Sequence, residues 1–140
     1  DMAHPFDWKV LKSKYIVKDK WLTVRADTCE LPSSSIIDPY YVFEYPTWLN
    51  IVALTTNEDL VLVKQYRHGL GQTVLEIPCG GVETSDASVL LAARRELLEE
   101  TGYGKGVFVE TGRLSPNSSN HTNWVHSFLA TGVEKVSEPT

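Results

Sequence analysis

The sequence has little of what marks a secreted or membrane protein. Its 140 residues include only two cysteines, Cys29 and Cys79, and no apolar run approaches the roughly 18 residues that span a bilayer. The first residues lack the basic start and apolar stretch of a signal peptide. Two isolated cysteines in a core-forming chain are typical of reduced thiols in the cytosol, and a disulfide between them is the less favoured alternative. We therefore expect a cytoplasmic protein without a membrane segment.

Positive charge is also scarce. Lysine and arginine total 13 against 18 aspartates and glutamates, which gives a formal net charge of -5. Proteins that bind nucleic acid usually present a basic face, and the sequence shows no lysine and arginine cluster of that kind. We therefore expect no nucleic-acid partner. The acidity does not exclude phosphate substrates, because a bound metal ion can invert the local charge.

Apolar patterning predicts a mixed β-sheet around one prominent helix, as in an α+β or α/β domain. Strand signals cover residues 8–17, 21–27, 40–44, 50–55, 60–65, 73–77, 107–110 and 124–130. The polar turn at Asn57, Glu58 and Asp59 predicts that the strands at 50–55 and 60–65 pair as a hairpin.

The helix is predicted from composition at residues 87–100, which contain no glycine or proline and are rich in leucine, alanine, arginine and glutamate. Ser85 or Asp86 is the predicted N-cap, and Gly102 lies where a C-cap glycine belongs. Helical spacing predicts a core-facing stripe. Its members are Leu90, Ala93 or Arg94, Leu97 and Leu98.

Three glutamates crowd another face of this helix near its C-terminus. Glu96, Glu99 and Glu100 are spaced i, i+3 and i+4, so their charges repel one another. The helix dipole also disfavours negative charge at this end. A hard divalent cation such as Mg²⁺, with Mn²⁺ as the alternative ion, would compensate both effects. A solvated acidic face, partly neutralised by Arg94 and Arg95, is the plain alternative.

A glycine turn and this helix together resemble the signature of the Nudix hydrolase family. That signature reads glycine, five residues, glutamate, seven residues, and then Arg-Glu-apolar-x-Glu-Glu-x-Gly-apolar. The second half matches at every fixed position from Arg95 to Tyr103. The first half departs, because counting from Gly81 places Ala87 at the first glutamate. Counting from Gly80 places Asp86 there, with one extra residue before Arg95, and this alignment is favoured.

Other segments are similar to the ADP-ribose pyrophosphatase branch of that family. Residues 75–81 resemble the Glu-Leu-Pro-Ala-Gly segment that precedes the signature, and residues 61–67 resemble a strand ending in Gln-Tyr-Arg. Ser115 and Pro116 fall where the branch carries a proline loop. About 100 residues fit the resemblance, from Tyr41 to Ala130.

The resemblance implies an α+β fold, an α/β/α sandwich with a Nudix-type mixed sheet and the catalytic helix. Residues 1–45 would be an N-terminal antiparallel β segment that serves dimerisation, and residues 46–140 the Nudix core. A C-terminal strand and helix, and an acidic loop with the catalytic base, would be missing from this sequence. Glu134 and Glu138 are the only acids in that region, and neither has the context of a base.

The resemblance also implies roles for individual residues. The metal ligands would be the Cys79 carbonyl and the carboxylates of Glu96, Glu99 and Glu100, and Glu99, Glu100 and Arg95 would be catalytic. Substrate contacts are expected from Arg67, Glu76 and Tyr45. For Arg67 and Glu76, a surface arginine and a structural ion pair are the respective alternatives. Tyr41, Trp48 and Tyr66 are further candidates to stack a base, although each also suits a core or a dimer interface.

The expected function is Mg²⁺-dependent hydrolysis of the diphosphate of a nucleoside diphosphate sugar. The most specific expectation is cleavage of ADP-ribose to AMP and ribose 5-phosphate by a homodimer. The alternative is a catalytically weak Nudix-like module that binds a nucleotide.

Overall fold

The computed structural model describes residues 4–140, so residues 1–3 of the predicted N-terminal segment lie outside the described part. The chain divides into two compact units. Unit 1 runs to Tyr45 and includes Ser115–Asn123, and unit 2 comprises Pro46–Leu114 and Trp124–Thr140.

Unit 1 is built on a three-stranded antiparallel sheet in the order β1-β2-β3. Its strands are β1 (Lys9–Lys18), β2 (Thr23–Glu30) and β3 (Ile36–Phe43). The three predicted strands of this segment are confirmed. The third begins earlier than predicted, because Ile36 and Ile37 pair with the end of β2.

Unit 2 contains the second sheet, a separate hairpin and the helix. Its elements are β4 (Trp48–Thr55), β5 (Val63–Arg67), β6 (Gln72–Glu76), β7 (Cys79–Gly81), α1 (Val89–Thr101), β8 (Tyr103–Gly104), β9 (Val107–Leu114) and β10 (Val125–Lys135). The sheet order is β7-β4-β10-β8, and β9 also pairs with β10. The β4 and β10 strands are parallel, while the other pairs are antiparallel. This mixed sheet with its helix confirms the predicted α+β class.

The predicted hairpin between residues 50–55 and 60–65 is wrong beyond its turn. Leu54 and Leu60 form one isolated bridge, after which the chain leaves β4. The physical reason is that both edges of β4 are occupied, by β7 on one side and β10 on the other. The β5 strand therefore pairs with β6 instead.

The helix begins two to three residues later than the predicted caps. Ser88 is the N-cap, and its hydroxyl accepts a hydrogen bond of 3.1 Å from the Leu91 N–H. The Asp86 carboxylate is unavailable for capping because Arg95 and the Glu83 N–H bind it. The predicted Gly102 C-cap is confirmed, with a φ of 72° and its N–H donating to the Leu98 carbonyl.

The core lies between α1 and the sheet of unit 2. The aliphatic core residues with no accessible surface lie in α1, β4 and β10. They are Ala92, Ala93, Leu97, Leu49, Ile51, Ala53, Ala130 and Val133. The predicted helix stripe is half wrong, because Leu90 and Leu98 remain 40% and 39% exposed. Small alanines at the contact let the helix backbone lie close to the strands, which turns the buried face toward Ala92.

The C-terminal end of α1 is tied to the segment that follows β10. The Val136 and Ser137 N–H groups both donate to the Gly102 carbonyl, at 2.9 and 3.1 Å. The Thr140 N–H donates to the Glu99 carbonyl at 2.9 Å, and the Lys135 ammonium donates to the Thr101 carbonyl at 2.9 Å. These bonds satisfy carbonyls that a helix end leaves open.

Both cysteines are free thiols, Cys29 buried in unit 1 and Cys79 half-buried in unit 2. Within residues 4–140, no helix combines the length and apolar character needed to cross a membrane.

Candidate functional site

The site begins where the backbone of β7 meets the side chain of Glu96. A Cβ atom placed on Gly80 would lie 2.0 Å from Glu96 Cδ and 2.1 Å from its Oε2 atom. Such distances are far inside van der Waals contact, so only glycine allows this approach. Sequence analysis anticipated a sharp turn or a close approach at the glycine pair. The structure shows that the close approach occurs at Gly80, while Gly81 has open space.

Arg95 is the centre of an ion-pair cluster on the same side of the helix. Its Nη1 atom donates to Glu96 Oε1 at 2.9 Å and to Glu99 Oε2 at 3.1 Å. Its Nη2 atom donates to the Gly81 carbonyl at 3.0 Å. Arg95 therefore fixes two of the three predicted carboxylates relative to the β7 backbone.

Asp86 completes this cluster from the loop before the helix. Its carboxylate binds Arg95 in bidentate fashion, at 3.0 Å from Nε and 2.8 Å from Nη2. These bonds and one from the Glu83 N–H lower the pKa of Asp86 to about 2, so it stays ionised at neutral pH. Ala87 has no side chain that can form this bond. The geometry thus agrees with the alignment that places Asp86 at the first acidic position of the signature.

Glu100 binds the other end of β7. Its Oε2 atom accepts a hydrogen bond of 3.1 Å from the Cys79 N–H. Glu96 and Glu100 therefore bracket the Cys79–Gly80 backbone, with Glu99 outside. The three side chains differ in exposure, since 13% of Glu96 and 48% of Glu99 is accessible.

Burial and nearby charges act together on the Glu96 carboxylate. Burial raises the pKa of Glu96 above its ordinary value, and the charges of Glu100 and Glu99 add to the rise, while Arg95 opposes it. A half-buried carboxylate with two anionic neighbours is a place where a cation would be stabilised.

The described side chains do not form a closed metal cage. Across residues 4–140, no three or more His, Cys, Asp or Glu side chains are placed together as ligands. The cause is visible in the hydrogen bonds, since Glu96 and Glu99 turn to Arg95 and Glu100 turns to the Cys79 N–H. The donor set nevertheless fits a hard cation, because it consists of carboxylates beside backbone carbonyls.

Arg67 and Glu76 form an ion pair across the β5–β6 hairpin. Arg67 Nε lies 2.8 Å from Glu76 Oε2, and Arg67 Nη2 lies 3.4 Å from Cys79 Sγ. The hydrogen bond from Arg67 lowers the pKa of Glu76, and the Glu76 carboxylate raises the pKa of Arg67. The structure therefore brings Arg67, Glu76 and Cys79 together beside Glu100.

Tyr45 belongs to unit 1, where it joins an aromatic cluster. Its ring is stacked on Phe43 with centroids 6.2 Å apart, and His121 lies 5.2 Å from it. Of the other stacking candidates, Tyr41 and Tyr66 are 50% and 61% exposed.

Sequence analysis missed a cavity of about 430 Å³ in unit 2. It is lined by residues 61–65, Glu100, Thr101, Tyr103, Pro139 and Thr140. Its polar residues Lys64 and Gln65 interrupt an apolar run in the strand that resembles the Gln-Tyr-Arg segment. That interruption was the available signal, but the candidates taken from this strand were Tyr66 and Arg67.

Comparison with known proteins agrees with this geometry. The family described as "NUDIX domain" matches residues 46–140, and the one described as "Nucleoside diphosphate sugar hydrolase N-terminal domain" matches residues 8–43. The fold, the glutamates of α1 and the match to the family together define a hydrolase that acts on phosphoric anhydrides, as the sequence predicted. The chain belongs to the NUDIX family.

Curated relatives are similar over most of the chain. A methanol dehydrogenase activator of Bacillus methanolicus is 28% identical over 96% of this chain and 71% of its own length. An ADP-ribose pyrophosphatase of Mycobacterium tuberculosis is 27% identical over 95% of this chain, which spans 64% of that protein. An ADP-sugar pyrophosphatase of Mus musculus is 40% identical over 54% of this chain and 35% of its own length.

A solved structure titled "Crystal structure of ADP compounds hydrolase" has the same fold. Its TM-score is 0.83 at 23% identity, over 95% of this chain and 71% of that chain. This similarity confirms the Nudix-type fold and the N-terminal antiparallel strands that the sequence predicted.

Proposed function

We propose that this protein is a Mg²⁺-dependent pyrophosphohydrolase of nucleoside diphosphate sugars, with ADP-ribose as the first candidate substrate. The observation that carries the proposal is the pair of carboxylates, Glu96 and Glu100, that bracket the Cys79–Gly80 backbone. Relatives named as ADP-ribose and ADP-sugar pyrophosphatases support this choice of substrate class.

The proposed metal ligands are the Cys79 carbonyl and the carboxylates of Glu96, Glu99 and Glu100. A bound Mg²⁺ ion, or Mn²⁺ in its place, would neutralise phosphate oxygens, lower the pKa of water and align the attack. Arg95 holds Glu96 and Glu99 in position and offsets part of their mutual repulsion. Gly80 leaves the space in which the Glu96 carboxylate lies.

Hydrolysis forms a bond between the oxygen of water and one phosphorus and breaks the bridging P–O bond. With ADP-ribose, the products are AMP and ribose 5-phosphate. Glu99 is the more exposed carboxylate beside Arg95, so it is proposed to orient the water. Glu100 and Arg95 complete the proposed catalytic set.

Arg67 is the proposed phosphate or ribose contact, because a guanidinium matches phosphate oxygens in bidentate fashion. Its ion pair with Glu76 already orients the guanidinium beside Cys79. Glu76 is proposed to contribute to substrate binding by holding the Arg67 guanidinium in place. Tyr45 is the proposed stacking residue for the base, since its ring already takes part in stacked contacts with Phe43.

Removal of the metal tests this function directly. Purified protein with ADP-ribose and Mg²⁺ is expected to release AMP and ribose 5-phosphate, and EDTA is expected to reduce release to background, which chromatography of the products measures. A panel of nucleotide sugars, dinucleotides and nucleoside triphosphates ranks the substrates. Background rates with every member would refute the hydrolase, and binding of ADP-ribose without turnover would favour the nucleotide-binding module instead.

The proposed location is the cytoplasm, where free thiols such as these two stay reduced. The proposed assembly is a homodimer formed through the sheet of unit 1. The β1 strand is an edge strand whose side chains are all exposed. Leu11 and Ile16 are 47% and 51% exposed along it. A long exposed edge strand with apolar side chains readily pairs with another chain.

Light scattering after size exclusion tests the dimer. The wild type is expected at twice the chain mass of 15.7 kDa. Leu11→Asp with Ile16→Asp is expected to give the single-chain mass, because two buried carboxylates would oppose the interface. Leu70→Asp in unit 2, at a residue 65% exposed, is the control and should leave the dimer intact. A wild type that elutes at the single-chain mass would contradict the proposal.

A further inference from the structure

The face of the unit 2 sheet that points away from α1 carries a row of polar side chains beside the proposed metal ligands. Leu49 and Ile51 of β4 are fully buried in the core under the helix. Asn50 lies between them and therefore points to the opposite face, because side chains alternate along a strand. Asn50 pairs in register with Cys79 of β7 and with Ser127 of β10. Cross-strand partners share a face, so these three residues form one polar row.

The neighbouring rows on the same face are apolar. On one side, Val52, Leu129 and Val109 pair in register, and on the other side Trp48 pairs with Val125. A sheet face that is simply solvated carries polar residues along its whole length. A single polar row between apolar rows therefore indicates a contact that needs polar groups at this place.

The Asn50 amide is available to a ligand. Asn50 is half-buried, and its side chain takes part in no hydrogen bond within residues 4–140. Neither of its polar atoms is among the fully buried ones that lack a partner, so both are accessible. An amide donates and accepts at once, and a ligand group that can do both would satisfy it.

Cys79 connects the polar row to the proposed diphosphate site. Its N–H donates to Glu100 at 3.1 Å, and its Sγ atom accepts from Arg67 Nη2 at 3.4 Å. Asn50 lies one strand further into the sheet, and neighbouring strands are about 4.8 Å apart. In ADP-ribose each phosphorus carries a pentose through its C5 methylene, and the base lies a whole sugar further away. A diphosphate held between Glu100 and Arg67 would therefore place a pentose, and not the base, at Asn50.

We propose that Asn50 is a specificity-determining residue whose side-chain amide binds a pentose hydroxyl of the substrate. The inference rests on the proposed function, because it assumes that the diphosphate lies between Glu100 and Arg67. A ribose hydroxyl can donate to the amide oxygen or accept from the amide N–H, and a hydrogen in its place can do neither. A site that hydrogen-bonds a hydroxyl discriminates against the analogue without it, because the amide is then left unpaired.

Asn50→Ala tests this contact, because the change removes the amide and no hydrogen bond of the described fold. KM for ADP-ribose is expected to rise about fivefold, the effect of one neutral hydrogen bond, while kcat stays within about twofold. Asn57→Ala is the matched control, since the same change falls in the exposed turn after β4 and should leave KM unchanged. An unchanged KM in Asn50→Ala, an equal rise in Asn57→Ala or a loss confined to kcat would overturn the inference.

Deoxy analogues of ADP-ribose, each with one pentose hydroxyl replaced by hydrogen, identify the bonded hydroxyl. The wild type is expected to bind at least one analogue about fivefold more weakly than ADP-ribose. Asn50→Ala should bind that analogue and ADP-ribose equally, because the bond has already lost one partner. The wild-type arm does not depend on the folding of any variant. Equal binding of every analogue by the wild type overturns the inference, as does an equal loss for each analogue in both proteins.

Titration calorimetry with Ca²⁺ in place of Mg²⁺ measures this binding without turnover and separates the inference from the proposed function. Coupling between Asn50 and one hydroxyl in a protein that hydrolyses no substrate supports the inference and refutes the hydrolase alone. Hydrolysis without that coupling overturns the inference alone. Absence of both binding and hydrolysis overturns both proposals.

Discussion

Gly80→Ala is expected to lower Mg²⁺-dependent hydrolysis about 100-fold or more, equivalent to about 2.7 kcal/mol of activation barrier. The new Cβ would lie 2.0 Å from Glu96 Cδ, so the carboxylate must move away from β7. Because that carboxylate is the end of a flexible side chain, the fold should survive the change. The measurement is kcat/KM for ADP-ribose, with circular dichroism to confirm that the variant is folded.

Gly81→Ala is the matched control for this experiment. A Cβ on Gly81 meets no atom within 4 Å, although the residue is next in sequence and lies in the same strand. Its activity is expected to stay within a few-fold of wild type. Equal losses in the two variants would show that glycine matters here for the backbone and not for Glu96. Full activity in Gly80→Ala would remove Glu96 from the metal site.

Glu100→Gln should reduce hydrolysis by a similar factor, about 100-fold. The amide keeps an oxygen that can accept the Cys79 N–H bond of 3.1 Å, so the local fold is retained. What disappears is the negative charge that would bind the cation. The measurements are the hydrolysis rate and the rise in melting temperature on adding Mg²⁺, which ligand linkage relates to binding. Both are expected to be largely lost.

Glu138→Gln provides the same chemical change at a residue whose side chain is 90% exposed. It should retain the activity and the thermal shift of the wild type. If Glu100→Gln behaved in the same way, the three glutamates would be a solvated acidic face and not a metal site.

Local sequence rules predicted the helix and its acidic face well. The run from 87 to 100 has strong helix formers throughout, and a glycine at 102 has a clear physical role at a helix end. Glu96, Glu99 and Glu100 therefore had only one arrangement relative to one another. Their roles as metal ligands remain predictions, because the hydrogen bonds to Arg95 and Cys79 fix positions and not a bound ion.

Features set by distant contacts were harder to predict. The N-cap is Ser88 and not Asp86 because Arg95, 9 residues further along the chain, binds the Asp86 carboxylate. The hairpin does not extend because β7, which follows β5 and β6 in the sequence, pairs with residues 48–50 on the edge of β4 that β5 would have to occupy. Periodicity also placed Leu98 in the core, since it cannot show that the sheet approaches the helix on its alanine side.

The hydrogen bonds at the C-terminal end of α1 have a consequence for ion affinity. Val136, Ser137 and Thr140 hold the backbone of the turn that carries Glu99 and Glu100. Those residues are therefore ordered before a cation binds. The conformational entropy of ordering them is lost when the chain folds and not when the ion binds. An ion that meets a preorganised set of oxygens loses less free energy to ordering, so its affinity depends on a segment that never touches it.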